Sequence, residues 1–317
     1  MIVEANEDAI ARAAAELSQG GLVAFPTETV FGLGGDARNG LAAAAIFAIK
    51  HRPHFNPLIV HVSGVEMAAR FGDLNPTALT LIEAFWPGPL TLVVPLRSDS
   101  GIAPLVTAGL ETIALRSPAH PVARALLEAA QCPIAAPSAN ASGYVSPTKA
   151  EHVDHDLGDG PALILDGGPV PLGLESSVVD MTSDPPVLLR PGTITSDEIE
   201  TALGAKLADA DAKDAIRSPG QLASHYAPRA RLRLEATSLE AGEALLAFGP
   251  NPPQGATMTI NLSAKGDLHE AAANLFGALR EFDRLGAAAI AVAPIPNNGL
   301  GAAINDRLVR AASPRGA

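Results

Sequence analysis

Between Leu41 and Val62 the chain must end a helix, turn, and begin a strand within a few residues, and it loads that turn with basic groups. An alanine-rich helical pattern over Leu41–Ile49 runs into Lys50, His51 and Arg52. Pro53 then stops the helix, because its ring clashes with an α-conformed residue before it. Pro57-Leu58-Ile59-Val60-His61-Val62 reads as a short buried strand, rich in β-branched residues and bounded by a breaker. The corner, with Lys50 and Arg52 expected as solvent-facing ligands, suits an anion such as a nucleotide triphosphate. The same side chains could instead only complement the negative end of the helix dipole, worth about 0.3–1 kcal/mol each. This stretch alone leaves both readings open.

The flanks repeat the alternation. Asn6 with Glu7 and Asp8 reads as an N-cap and acidic first turn of a helix that Gly20-Gly21 closes. Strand Leu22–Phe25 runs into Pro26-Thr27-Glu28-Thr29-Val30-Phe31-Gly32-Leu33-Gly34-Gly35, read as a strand-end loop whose glycines let backbone approach a ligand. Helices over 65–71, 77–86 and 119–130 alternate with strands over 90–96, 112–116 and 133–136. The last strand opens into a second polar loop, Pro137-Ser138-Ala139-Asn140-Ala141-Ser142-Gly143. Ser146-Pro147-Thr148 reads as an N-cap with proline at the first helical position. Strands over 163–166, 176–181 and 187–190 and a helix from Ser196 to Gly204 complete a first unit.

At 317 residues the chain suits two domains. Composition shifts at Ala205, and the polar, weakly patterned stretch to Arg229 reads as a linker. The expected division is 1–204, linker 205–229, and 230–317. The last segment orders as strand 232–234, helix, strand 244–248, strand 257–262, helix 268–285, strand 288–293 and helix 302–312, a small α/β sheet. No run of about 18 strongly apolar residues occurs, so no membrane span is expected. The acidic N-terminal residues precede any apolar segment, the wrong order for a secretory signal. A single cysteine, Cys132, excludes an intrachain disulfide and a multi-cysteine zinc cage; it is expected buried, in a reducing cytoplasm. A net charge of −12 argues against strong general affinity for nucleic acid, though a local basic concavity leaves room for weak RNA contact.

Thr27, Thr29, Lys50, Arg52, Asn56, His61, Arg116, Ser138, Asn140, Ser146, Ser176 and Arg190 all lie at or near element ends, where α/β sheets collect ligand contacts. At this point the sequence resembles the threonylcarbamoyl-adenylate synthases built on the YrdC-type domain. The matching pieces are F-P-T-E-T-V-F-G-L-G (25–34), K-x-R-P-x-x-N-P-L (50–58), V-H-V (60–62), W-P-G-P-L-T (86–91), P-S-A-N-x-S-G (137–143), S-P-T (146–148), S-S-V-V-D (176–180) and L-R-P-G (189–192). S-P-G-Q-L-A-S-H-Y-A-P (218–228) and A-I-N-D-R-L-V-R-A-A (303–312) match the family's longer form.

The resemblance implies a YrdC-like twisted, open, mixed α/β sheet followed by a smaller Rossmann-like α/β domain. It implies a nucleotidyltransferase that joins ATP, L-threonine and bicarbonate into threonylcarbamoyl-AMP with release of pyrophosphate, for use by downstream proteins that modify tRNA. The catalytic signature falls on Lys50 and Arg52. Threonine contacts fall on Thr29, His61, Arg116, Ala136 and Ser176. ATP contacts fall on Lys50, Arg52, Asn56, Thr112, Ser138, Asn140, Ser146, Arg190 and Tyr226. Mg²⁺ is expected with ATP, with no protein metal site. Ser224-His225-Tyr226-Ala227-Pro228, between bends at Pro219-Gly220 and Pro228, is expected to act as a lid.

Phe31, Ser177, Ala136 and Asp306 depart from the family's usual tyrosine, threonine, small hydroxyl residue and asparagine. The Ala136 change leaves a threonine contact there in doubt. A hydrogenase-maturation carbamoyltransferase shares this domain and its carbamoyl-adenylate chemistry but adds zinc fingers that a chain with one cysteine cannot supply.

Overall fold

The computed structural model describes residues 1–209 and 225–314. In chain order the first unit runs β1 (Ile2–Glu4), α1 (Glu7–Ser18), β2 (Val23–Pro26), β3 (Phe31–Asp36), α2 (Gly40–Lys50), β4 (Ile59–His61), α3 (Val65–Ala68), α4 (Pro76–Phe85), β5 (Leu90–Pro95) and β6 (Thr112–Arg116). It continues through α5 (Pro121–Ala130), β7 (Ile134–Ala135), α6 (Ala150–Leu157), β8 (Leu163–Asp166), β9 (Ser177–Asp180), β10 (Val187–Arg190), α7 (Ser196–Leu203) and β11 (Ala208–Asp209). The second unit holds β12 (Arg231–Arg233), β13 (Ala244–Ala247), β14 (Thr259–Asn261), α8 (Leu268–Arg284), β15 (Ala289–Val292) and α9 (Leu300–Ala312).

The local signals act as their chemistry dictates. The Asn6 carboxamide accepts the Ala9 N–H at 2.9 Å and fixes the start of α1. Thr195 and Glu198 close a reciprocal capping box on α7. Helix α2 ends at Lys50 because His51 turns left-handed at φ 50°, two residues before Pro53.

The first sheet has the mixed order β1-β8-β2-β3-β7-β4-β6-β5-β9-β10-β11. Period-two alternation divides its side chains between two helical layers. Val23, Phe25, Leu163 and Leu165 pack with α1 and α5, whereas Ala24, Val60, Ile164 and Leu115 face the layer of α2, α4, α6 and α7. By the same alternation Ile59, His61, Ala114 and Arg116 stand on the α1/α5 side, beyond the reach of those two helices. That uncovered stretch is where the sheet can receive a ligand.

The second sheet is wholly parallel, in the order β12-β15-β13-β14. Helices α8 and α9 share one face, packing through Leu275, Phe276, Leu279, Ile304 and Leu308 onto Leu232, Leu246 and Ile290. Val30, Val145 and Leu174 of the first unit are buried in this same cluster, so the two units share a core. Gly173 makes the contact possible: at φ 67° it lies so close to α8 that a Cβ would stand 2.5 Å from the Ala273 carbonyl oxygen.

Five expectations change. Strand β1 was not read from the sequence; three residues give periodicity nothing to register, and β1 exists by pairing in parallel with β8. Half of the loop expected over 26–35 is β3, antiparallel to β2. Its glycines serve strand packing rather than ligand approach alone: a Cβ on Gly34 would meet Ile134 and Phe25 at 2.7 Å. Ser146 caps no helix, since α6 begins at Ala150 with Lys149 before it. No helix forms between β12 and β13, and Ala236, Leu239 and Ala256 cover that face of the second sheet instead. The first sheet continues to β11, past the boundary expected at 204. Most of the expected linker and lid, residues 210–224 with Pro219-Gly220, lies outside the described residues.

Candidate active site

A cavity of about 50 Å³ opens on the uncovered stretch of the first sheet. Its wall includes Thr27, Thr29, Gly32, Arg52, Ile59, His61, Arg116, Ala136, Ser138, Glu175, Ser176, Arg190, His225 and Tyr226. Thr27 and nine residues to which the resemblance assigns a role meet there: Thr29, Arg52, His61, Arg116, Ala136, Ser138, Ser176, Arg190 and Tyr226. Sheet register accounts for one side of it, because His61 and Arg116 are direct partners across the parallel pair β4 and β6.

Arg116 uses all three of its guanidinium nitrogens. Its Nη2 donates to Glu28 Oε1 at 2.6 Å, its Nη1 to Thr29 Oγ1 at 3.0 Å, and its Nε to the Gly88 carbonyl at 3.3 Å. Each terminal nitrogen carries two N–H bonds, so one on each remains for a carboxylate. The second Glu28 oxygen accepts the Ala119 N–H at 3.0 Å. Burial opposes ionisation of Glu28, but the charge and hydrogen bond of Arg116 hold its pKa below the usual carboxylate value.

On the other side Arg190 donates through Nε and Nη2 to the Ser176 carbonyl at 3.1 and 2.9 Å, and through Nη2 to Ser176 Oγ at 3.1 Å. Ser176 Oγ also shares a 2.8 Å hydrogen bond with Thr91 Oγ1. Arg52 donates from Nε and Nη2 to the carbonyls of Asn56 and Pro57, at 3.1 and 2.8 Å. Burial lowers the Arg52 guanidinium to about 9, with Arg190 acting in the same direction and Tyr226 against it. Burial likewise lowers His61 to about 3, aided by Arg116, so its imidazole is neutral at neutral pH. His61 Nδ1 has no hydrogen-bond partner among the described residues.

The helix-end corner is not the solvent-facing pair expected. Lys50 is 1% exposed and Arg52 6%. The Lys50 ammonium donates to the Ser138 carbonyl at 2.6 Å and to the Asn140 carbonyl, tying α2 to the loop over 137–144. Burial, and then the charge of Arg52, push its pKa well down. Lys50 is not part of the cavity wall, and in this conformation it organises the loop. Arg52 does line the cavity.

Four other expected residues lie outside the cavity wall. Asn56 is fully buried, and neither polar atom of its side chain has a partner among the described residues. Asn140 donates to the carbonyls of Ala141 and Tyr144 at 2.9 and 2.8 Å and holds the loop in shape. Ser146 donates to Glu175 Oε1 at 2.6 Å, the partner that replaces its expected cap. Thr112 stands at the opposite end of β6 from Arg116.

Glu28, Thr91, Glu175 and Arg307 are functional candidates that sequence reasoning missed. Glu28, Thr91 and Arg307 stand inside matched motifs and Glu175 beside one, but no role was read for them because their partners lie far along the chain. Tyr226, at φ 62°, stacks on Phe276 of α8 with ring centroids 5.5 Å apart, and Arg307 of α9 stands 5.2 Å from its ring. It therefore packs the second unit and walls the cavity at once. His225 is lowered to about 3, chiefly by burial. A larger groove of about 1400 Å³ follows the seam between the units, where Arg280 of α8 pairs with Asp156 of α6 at 2.6 Å. Among the described residues no group of three or more His, Cys, Asp or Glu side chains could hold a metal, and no helix is long and apolar enough to cross a membrane.

Residues 15–192 match the family model for Sua5, YciO and YrdC proteins, described as telomere recombination, and residues 194–313 match that of the threonylcarbamoyl-AMP synthase C-terminal domain. A threonylcarbamoyl-AMP synthase of Bacillus subtilis is 43% identical over 98% of this chain and 94% of its own. One of Pyrococcus abyssi is 40% identical over 96% and 94%. The crystal structure of P. abyssi Sua5 complexed with L-threonine superposes with a TM-score of 0.91, at 36% identity over 98% of this chain and 97% of that one. Escherichia coli YciO, at 24% identity and a TM-score of 0.54, shares the fold over 59% of this chain and 90% of its own.

Proposed function

Because the chain belongs to the Sua5, YciO and YrdC family and carries the C-terminal domain of the threonylcarbamoyl-AMP synthases, we propose that it is a nucleotidyltransferase forming threonylcarbamoyl-AMP from ATP, L-threonine and bicarbonate. Pyrophosphate is the other product, and proteins that modify tRNA consume the adenylate. The observation that carries this reading is the convergence of Arg52, Arg116 and Arg190 with neutral His61 on one cavity. Such a site takes two anions, the amino-acid carboxylate and the nucleotide phosphates.

The chemistry divides between them. The free N–H bonds of Arg116 grip the threonine carboxylate, with Thr29 and Ser176 beside it. The amino group then lies against the neutral imidazole of His61, and as nitrogen bonds to the bicarbonate carbon the C–OH bond breaks, the hydroxyl leaving with the amine's proton as water to give a carbamate. The carbamate oxygen so formed attacks the α-phosphorus and pyrophosphate leaves. Arg52 and Arg190 stabilise charge developing on the phosphates. No side chain acts as a covalent nucleophile; orientation and charge neutralisation carry the rate.

Mg²⁺ enters with ATP. Both carboxylates of the cavity wall region, Glu28 and Glu175, are engaged with arginines, so the donor set does not fit a protein-held ion, and the metal would be carried by the triphosphate. A cavity of about 50 Å³ suits the polar end of an amino acid and is far below the roughly 300 Å³ or more of a nucleotide-sized pocket. Nucleotide entry therefore requires part of the wall to move.

Pyrophosphate release is the decisive assay. The expected result is release that requires threonine and bicarbonate together with Mg-ATP, is not supported by other amino acids, and falls at least about a hundredfold in Arg52→Ala. Release independent of bicarbonate would overturn the reading.

A further inference from the structure

Glu175 is a carboxylate in a cavity otherwise suited to anions. It precedes β9, is 7% exposed, and lines the wall with Arg52 and Arg190. A negative charge there opposes a triphosphate unless a cation cancels it. Arg190 of the wall cancels part of it, and a second cation comes from the other unit. Arg307 of α9, fully buried, donates from Nε to Glu175 Oε2 at 2.9 Å and from Nη1 to the Pro191 carbonyl at 2.9 Å and to Asp306 Oδ2 at 2.7 Å, so its charge serves both carboxylates. The free side of Glu175 accepts the Ser146 hydroxyl at 2.6 Å, and the same guanidinium lies 5.2 Å from the Tyr226 ring.

We propose that Arg307 is a positioning residue of the nucleotide site, supplied by the C-terminal domain to the catalytic one. By neutralising Glu175 it makes the cavity attractive to phosphate, and through Glu175 it fixes the Ser146 hydroxyl. Nucleotide affinity in the first domain thereby depends on the docking of α9. This rests on the reading of the cavity as an ATP site.

The alternative is a salt bridge that merely fastens the domains, and a double-mutant cycle separates the two. ATP and threonine dissociation constants are measured by calorimetry, with Mg²⁺, on wild type, Arg307→Met, Glu175→Gln and the double variant. Arg307→Met is expected to weaken ATP by about tenfold or more, since it strands a buried carboxylate, with threonine affinity changed less than about twofold. The double variant is expected to lie within about threefold of Glu175→Gln, because the charge that needed cancelling is gone. Should Arg307→Met fail to fold, the comparison of Glu175→Gln with the double variant carries the test alone. A tenfold loss persisting in that comparison, or unchanged ATP affinity in a folded Arg307→Met, would overturn the proposal. A wild-type protein that binds no ATP would instead sink the functional reading beneath it.

Discussion

At the scale of single residues the site is a problem of neutralising buried charge. Arg116 keeps its orientation because Glu28 and Thr29 hold two of its N–H bonds, leaving a defined pair for substrate. Lysine keeps the charge but has no planar fork. Arg116→Lys is therefore expected to raise the threonine KM by about tenfold or more while the ATP KM moves less than about twofold. Steady-state kinetics with each substrate varied in turn checks this, and an equal rise for both would remove Arg116 from the carboxylate. Arg116 and His61 stood out in the sequence as polar groups at or near the ends of strand-like runs, and the family resemblance supplied their role. Glu28 and Glu175 were not legible as parts of the site, since their partners stand 88 and 132 residues away.

At the scale of elements the informative case is β3. A run of glycines after a strand reads as a loop, because glycine lowers strand propensity and favours turns. Here the glycines belong to the strand: neighbouring side chains fill the space where their Cβ atoms would stand. Gly34→Ala would press on Ile134 and Phe25, and overpacking of this kind costs about 1–3 kcal/mol. Urea denaturation is expected to show that loss, and a change below about 0.5 kcal/mol would mean the strand can shift to accept a methyl group. The converse error concerns Ser146. Its Ser-Pro pattern is a valid helix-start signal, yet the hydroxyl is engaged by Glu175 and the helix begins later.

For the whole molecule, burial of two histidines ties stability to pH. His61 and His225 are held near 3, against about 6.5 in an unfolded chain. As pH falls the unfolded chain takes up these protons first, so their contribution is full above about 6.5 and is lost progressively toward 3. The lowered pKa values of Glu28 and Glu175 act in the same direction, but only below about 4.3. The unfolding free energy is therefore expected to drop between pH 6 and 4, by at most about 3 kcal/mol per pH unit from the two histidines together. His152, lowered to about 4 chiefly by burial, adds to the slope, so His61→Asn should remove about a third of the total. Denaturation curves at several pH values decide it, and an unaltered slope in the variant would show that His61 is not held neutral by the fold.

The sequence by itself determined the alternation of elements, the α/β class, the two-unit plan and most of the groups that meet at the cavity. Those properties are written in neighbours: caps, breakers, period-two runs and motifs a few residues long. What tertiary structure decided is which of those groups face the ligand. Lys50 turned inward to two carbonyls, Ser146 turned to Glu175, and α9 brought Arg307 across the seam. These outcomes depend on partners far along the chain. They follow from the cost of burying charges and hydrogen-bonding groups without partners, which no local pattern encodes.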